Sequence, residues 1–221
     1  MEESREILLN GIAAAPGIAI GTAYLYSKHI PKVHLRTLTG EEVEGEMERL
    51  KAAITRSEKE LQKIFSFAEA KVGTHSAKIF EAQILMLHDE VLMKAIEQRI
   101  RTELKNAEFV VYDEMSKYHR MMMASEDEYV QERGHDIDDI MNRIIRNIHD
   151  QKLFSRLEGE HIIVSEWLTP ADTMIFSRNE VLGYVTDLGG ITSHAALLSR
   201  SLLIPAVLGL LEDQSGAQDL H

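Results

Sequence analysis

The sequence predicts an α+β protein in which a β-containing domain is interrupted by a helical insertion. Three observations predict it. Short β-rich runs occur at both ends of the 221-residue chain. Between them, apolar residues recur every three or four positions from Val43 to Ile148. The helical runs are separated by short polar breaks, the pattern of four helices paired as hairpins. Residues 1–34 with 151–221 are assigned to the β-containing domain, and 35–150 to the helical one.

Ile12 to Tyr26 is apolar and small, broken by Ala15-Pro16-Gly17, and predicts two short strands around a tight turn. Ile30 to Thr37 is a connection containing Pro31. Thr39 and Glu42 have capping-box spacing and start a helix. Its seam is Val43, Met47, Leu50, Ile54, Leu61, Ile64 and Ala68, with Ser57 in one slot. A second helical run carries Ile79, Phe80, Gln83, Ile84 and Leu87, and Leu87-His88-Asp89-Glu90 breaks it before Val91 to Leu104. Asn106 is placed to cap a third helix through Phe109, Val110, Met115 and Met122. Ser125 or Asp127 caps a fourth, with Ile137, Ile140, Ile144 and Ile148 at helical spacing. From Gln151 the pattern changes. His161 to Ser165, Leu182 to Val185 and Ala206 to Leu208 are strand-like.

Composition excludes several classes. Hydrophobic residues make up 44% and charged residues 27%, which fits a soluble globular chain. The net charge of -12 makes nucleic acid and anionic membrane poor partners and favours encounter with a basic protein. Residues 35–150 hold 17 basic and 24 acidic side chains, so the acidity is spread and not confined to a tail. Without cysteine there are no disulfides or thiolate metal sites, in keeping with a cytoplasmic location. The acidic N-terminus is unlike a signal peptide, and no run approaches the ~18 apolar residues of a membrane span.

The richest stretch is Gly189-Gly190-Ile191-Thr192-Ser193-His194-Ala195-Ala196-Leu197-Leu198-Ser199-Arg200. An apolar strand-like run, Val181 to Thr186, precedes it. A helix from Ala195 to Leu203 follows and stops before Pro205. His194 therefore sits on the first turn of a helix after a glycine turn. Unpaired N–H groups and the positive end of the helix dipole favour an anion there. The same field disfavours imidazolium and so favours a neutral, nucleophilic ring. A bland alternative is a structural histidine at a helix start. Gly190, Thr192 and Ser193 weigh against it, because they bring donors to one anion-sized spot. The other nine histidines are scattered without ligand spacing, so no metal site is expected, and there is no phosphate-binding P-loop.

The pattern Gly-Gly-x-Thr-Ser-His-Ala-Ala…Ser-Arg-Ser-Leu…Ile-Pro-Ala-Val-x-Gly resembles the phosphohistidine signature of the phosphoenolpyruvate-utilising enzymes. With Leu168-Thr169-Pro170-Ala171-Asp172-Thr173 and the helical block, the chain from Gly11 to Gly209 resembles the enzyme I family of the bacterial phosphoenolpyruvate:sugar phosphotransferase system. The resemblance implies a phosphohistidine (swivelling) domain with an inserted helical domain that binds the phosphocarrier HPr. It implies that the tele nitrogen (Nε2) of His194 carries the phosphoryl group and that Thr173 hydrogen-bonds the ring. Gly190, Thr192 and Ser193 would surround the phosphate, and Arg200, on a different face of the helix, is either a supporting charge near it or a surface residue. The HPr surface would be Gln83, Met86, Glu90, Leu92, Met122, Tyr129, Arg133 and Arg143.

The implied activity is the partial reaction of a phosphoenolpyruvate-protein phosphotransfer, from His194 to the HPr histidine. In the family a phosphoenolpyruvate-binding barrel, where magnesium is expected and through which dimers form, follows Gly209. The resemblance thus implies an N-terminal fragment, without a cofactor of its own and monomeric. Two departures stand out. Ser76 occupies a position where some members have lysine, with Lys78 nearby, and Leu210 to His221 does not follow the family's final turn and strand. Two further readings stay open: a nitrogen-regulatory enzyme I or dihydroxyacetone-kinase phosphotransfer domain, and a non-catalytic helical interaction module.

Overall fold

The structure, a computed structural model, describes residues 7–27, 32–150, 159–179 and 181–210. The acidic N-terminus, Pro31, the change of pattern at Gln151 and the run beyond Leu210 fall outside them. The chain divides into two compact units, Met1–Ser27 with Leu157–His221, and Lys28–Arg156.

The second unit is built from α1 (Val43–Leu87), α2 (Glu90–Glu103), α3 (Ala107–Met123) and α4 (Glu128–Ile148). Thr39 starts it as its spacing predicts. Its backbone N–H donates to Glu42 Oε2 at 2.7 Å, and a 3-10 turn over Gly40–Glu42 leads into α1. The two helical runs expected before Leu87 are halves of one element interrupted at Gly73, whose φ of 83° and ψ of 163° leave the helical region. The expected break after Leu87 is real. Asp89 caps α2 by accepting from the Leu92 N–H at 2.8 Å. Asp127 rather than Ser125 caps α4, accepting from the Tyr129 N–H at 2.8 Å.

Helix α4 packs on both α1 and α3, and α2 packs on α3. The interior holds Met47, Leu50 and Leu61 from α1, Ile96 and Ile100 from α2, Val110 and Met115 from α3, and Ile140 and Ile144 from α4. Ser57, the polar slot in the α1 seam, is buried and satisfied. Its hydroxyl donates to the Ala53 carbonyl at 2.8 Å and accepts from Asn147 Nδ2 at 3.1 Å.

The cap of α3 differs from the one expected. Asn106 holds the N-cap position, but its side chain is engaged elsewhere. It accepts from the Arg36 N–H at 2.7 Å and donates to the His34 carbonyl at 3.0 Å, fastening the segment that leads into the unit. The first-turn N–H of Ala107 donates instead to buried Glu46 of α1 at 2.7 Å. Arg49 and Arg36 pair with the other oxygen of Glu46, at 2.7 and 3.2 Å. One carboxylate thus replaces the local cap, because a charge that reaches both arginines and a helix N-terminus is better compensated when buried.

The first unit is a five-stranded sheet with the order β1-β5-β4-β3-β2, where β1 is Ile12–Ala15, β2 Thr22–Leu25, β3 His161–Ser165, β4 Gly183–Thr186 and β5 Ala206–Leu208. Strands β2 to β5 are parallel, and β1 joins β5 antiparallel. The expected tight turn between the first two strands is not made, since β1 and β2 lie at opposite edges. Pro16 to Gly21 instead crosses the sheet end. A Cβ on Gly17 would sit 2.5 Å from the Pro205 ring, and the Ala19 methyl lies 3.2 Å from where Gly183 would carry one. Four inter-strand steps are ~19 Å, within reach of an extended link of this length. Strand β5 lies between β1 and β4, inside the sheet.

Helices α5 (Pro170–Ser177) and α6 (His194–Leu202) make the β3-to-β4 and β4-to-β5 crossovers and pack on each other. Their apolar sides join Ile163, Tyr184, Ala206 and Leu208 in the core.

Replacing Glu46 by Ala leaves the Ala107 N–H without its acceptor and strips Arg36 and Arg49 of a buried partner. Urea unfolding should show a loss of about 2 kcal/mol, larger than the loss for Glu42→Ala at the exposed cap.

Candidate active site

In a parallel sheet the loops at the carboxyl ends of the strands carry the ligand crevice. Here the loops after β3 and β4 are laced together at that edge. The Asp187 N–H donates to the Ser165 carbonyl at 3.2 Å, and the Leu188 N–H to the Glu166 carbonyl at 2.8 Å. Thr186 Oγ1 donates to the Leu188 carbonyl at 2.6 Å. Gly189 then turns the chain at a φ of 106°, a conformation that suits glycine alone. Gly190 needs no such freedom. A Cβ there would meet nothing within 4 Å, so its backbone borders open space.

Ser193 is the N-cap of α6, and its Oγ accepts from the Ala196 N–H at 3.3 Å. His194 is the first residue of the helix, as the sequence predicts, and is half-buried. Thr192 is exposed beside it, whereas Ser193 is buried. The Ser193 oxygen is thus a cap first, which narrows the role of phosphate donor expected for it. Arg200 points its guanidinium back at the loop. Its Nη2 donates to the Ile191 carbonyl at 2.9 Å and its Nη1 to the Ala14 carbonyl of β1 at 2.7 Å. It braces the turn that presents the histidine.

Helix α5 starts at the same edge. Thr169 is its N-cap and forms a capping box with Asp172, through Asp172 N–H to Thr169 Oγ1 at 3.0 Å and Thr169 N–H to Asp172 Oδ2 at 3.1 Å. The cap of α5 is therefore Thr169. Thr173 is fully buried, and its hydroxyl donates to the Thr169 carbonyl at 3.0 Å. Two contacts on this turn had no signal in the sequence, because their partners are distant in the chain. The Tyr184 hydroxyl donates to the Thr173 carbonyl at 2.9 Å, and the Tyr26 hydroxyl to Asp172 Oδ1 at 3.2 Å.

The helical unit divides the predicted partner residues. Tyr129 is 66% exposed, Glu90 is exposed and paired to Lys94 at 2.8 Å, and Met86, Leu92 and Met122 are half-buried. Met122 and Met123 pack over Gly134 of α4, while Met121 faces outward. Arg133 donates to the Tyr129 hydroxyl at 2.9 Å. Two of the predicted residues do not belong on a surface. Gln83 is 0% exposed and donates to Asp136 Oδ1 at 3.1 Å. Arg143 is 4% exposed and pairs with Glu60 at 2.9 Å and Asp139 at 3.6 Å. Both side chains are buried and engaged between α1 and α4, which removes them from contact with a partner. The sequence reading missed Leu85 and Val91, 71% and 74% exposed on either side of the α1–α2 break. Lys78 is exposed and Ser76 half-buried.

Among the described residues no group of three or more His, Asp or Glu is arranged to hold a metal ion. Nor is any helix among them long and apolar enough to cross a membrane.

Residues 10–133 match the family described as PEP-utilising enzyme, N-terminal, and residues 157–218 match PEP-utilising enzyme, mobile domain. The chain is 39% identical over 207 residues to a phosphoenolpyruvate-protein phosphotransferase of Geobacillus stearothermophilus, covering 93% of this chain and 36% of that protein. It is 38% identical over 203 residues to the protein of that name from Bacillus subtilis strain 168, covering 91% and 35%. The chain thus spans about a third of the length of these relatives. A solution structure titled Enzyme I (nEIt) is 38% identical with a TM-score of 0.73, covering 95% of this chain and 85% of that one. The N-terminal domain of Enzyme 1 - Nitrogen shares the fold at 23% identity and a TM-score of 0.63, covering 91% and 83%.

Asp136 gives a pH prediction. Burial pushes its carboxyl up to about 7, with Asp139 and Glu132 adding to the rise and Gln83 and Arg133 opposing it. A carboxyl raised in the folded state keeps its proton there and loses it on unfolding. Its stabilising contribution is complete below the ordinary carboxylate range and vanishes as pH rises through about 7. Denaturation of Asp136→Asn and the parent should therefore diverge in the variant's favour between roughly pH 4 and 7, by up to ~1.4 kcal/mol per pH unit.

Proposed function

The chain belongs to the PEP-utilising enzymes, and we propose that within them it carries a phosphoryl group on His194 and passes it to the histidine of the phosphocarrier HPr. The observation that carries this reading is half-buried His194 opening α6, close in the chain to the open space at Gly190. The helix N-terminus favours the anionic phosphoryl group.

Thr173 supplies the tautomer. A hydroxyl has one proton, and Thr173 gives its proton to the Thr169 carbonyl. Toward a ring it can only accept. The nitrogen it meets, Nδ1 in this reading, keeps its N–H, and Nε2 is left bare as the nucleophile. Transfer is then a displacement between two nitrogens. The bond from phosphorus to His194 Nε2 breaks and returns its electron pair to that nitrogen, while a ring nitrogen of the carrier histidine forms the new N–P bond. Each ring keeps the proton on its other nitrogen, so no net proton moves. Positioning supplies most of the rate.

The docking surface we assign to the carrier comprises Leu85, Met86, Val91, Leu92, Met122 and Tyr129, with Glu90 and Arg133 among them. An acidic chain of net charge -12 favours a basic partner. The greater identity to the enzyme I structure than to its nitrogen counterpart supports the sugar-type carrier. Phosphoenolpyruvate, and the magnesium expected with it, are left to the part of the relatives' length that this chain does not span.

Incubation with phosphorylated HPr should put acid-labile, alkali-stable phosphate on a peptide spanning Gly183 to Arg200. His194→Ala should take none, and faster transfer from a nitrogen-type carrier would reassign the partner. Tyr129→Ala and Leu85→Asp should each raise the apparent KM for HPr roughly tenfold at unchanged kcat.

A further inference from the structure

We propose that Tyr26 and Tyr184 are positioning residues for the reaction at His194, two hydroxyls that clamp the first turn of α5 and thereby fix Thr173. The inference rests on the reading of His194 and Thr173 given above.

Three features support it. Both phenols are buried, and both reach the same turn, one from β4 and one from just beyond β2. Tyr184 stands on β4, one strand from the start of α5, and its hydroxyl meets the Thr173 carbonyl at 2.9 Å. Tyr26 follows β2 at the far edge of the sheet, with its N–H held by the Val164 carbonyl at 2.7 Å, and its hydroxyl meets Asp172 Oδ1 at 3.2 Å. Asp172 and Thr173 are consecutive, so the two bonds grip one peptide segment from two sides.

Neither hydroxyl is needed for packing. The Tyr26 ring already lies edge-on to Phe176 at 5.0 Å, and the Tyr184 ring fills the core beside Ile163. Phenylalanine would serve either place. A buried hydroxyl that finds a partner on the turn carrying buried Thr173 restricts that turn beyond what the capping box does. Burial also holds the Tyr184 phenol well above its ordinary pKa, so it remains a proton donor throughout the working range.

Tyr26 has a second consequence. It lies one residue before the end of the first segment of its unit, at Ser27. The point where the chain leaves for the helical unit is therefore tied, through one hydroxyl, to the turn that holds Thr173.

The test uses Tyr26→Phe, Tyr184→Phe and the double variant, each also made in a Thr173→Val background. Two readouts are taken: the single-turnover rate of phosphoryl transfer from phosphorylated HPr, and the long-range proton–nitrogen spectrum of the His194 ring, which reports its tautomer without any partner. Rates are normalised to the folded fraction from near-UV circular dichroism. Each single variant should transfer roughly fivefold more slowly and shift the ring nitrogens toward a mixture of tautomers. In the Thr173→Val background neither change should add anything, because the clamp acts only through that hydroxyl.

Variants with the parent's ring spectrum overturn the clamp, whatever the rates. So does a loss that is equal with and without the Thr173 hydroxyl, or a tyrosine variant that fails to fold. If the parent itself takes no phosphate from HPr, the reading of His194 as its phosphoryl donor fails, and the ring spectra still decide whether the clamp exists.

Discussion

Parallel neighbours in a sheet cannot be joined by a hairpin; each pair needs a crossover that returns the chain to the starting edge. Strands β3, β4 and β5 are adjacent and parallel, so α5 and α6 both begin at the carboxyl edge and both pack on one face. This brings Thr173 and His194 to the same edge although 21 residues separate them. Backbone bonds between the two loops, from Asp187 to Ser165 and from Leu188 to Glu166, then set the height of the histidine turn before any side chain acts. Most of the site is a consequence of strand direction.

In that frame the polar side chains near His194 are divided between holding the loop and facing outward. Ser193 caps the helix, and Arg200 grips the Ile191 and Ala14 carbonyls. A guanidinium with two short carbonyl contacts is a brace, and turning it toward an anion would leave both carbonyls without it. Ile191, Thr192 and the open side of Gly190 face solvent. The cap and the brace thus hold the turn that presents the histidine.

The sequence made legible what local rules govern. The strand–glycine-turn–helix reading around His194, the capping box at Thr39 and the seam of α1 depend on residues a few positions apart. Sequence distance hid the rest. Pro16-Gly17 looks like a tight turn because proline and glycine make turns, yet here they let a link pass under Pro205 across the whole sheet. Asn106 sits where a cap belongs, but Glu46, 61 residues before the Ala107 N–H that it accepts from, performs the capping. Arg143 and Gln83 were placed on a docking surface by resemblance of motif, and long-range ion pairing and hydrogen bonding took them inside. Nothing in a local window distinguishes an arginine that meets solvent from one that meets Glu60.

Those long-range polar contacts also dictate the shape of α1. Ser57 meets Asn147 and Glu60 meets Arg143, so the first part of α1 runs antiparallel to α4 nearly residue for residue. The next polar contact is Gln83 with Asp136, a step of 23 residues along α1 but only 7 along α4. A straight helix would have travelled ~35 Å over that step while α4 covers ~10 Å. The two lengths are compatible only if α1 turns back, and it does so at Gly73, where the backbone leaves the helical region. An isoleucine seam at three- and four-residue spacing could tolerate a slip of one turn, whereas three specific polar pairs cannot. The pairs therefore fix the register of α4, the register demands the bend, and the bend returns the end of α1 toward the part of α4 that carries Arg133 and Tyr129. The exposed Leu85 and the exposed Tyr129 are thereby held at one end of the helical unit by groups that are themselves buried.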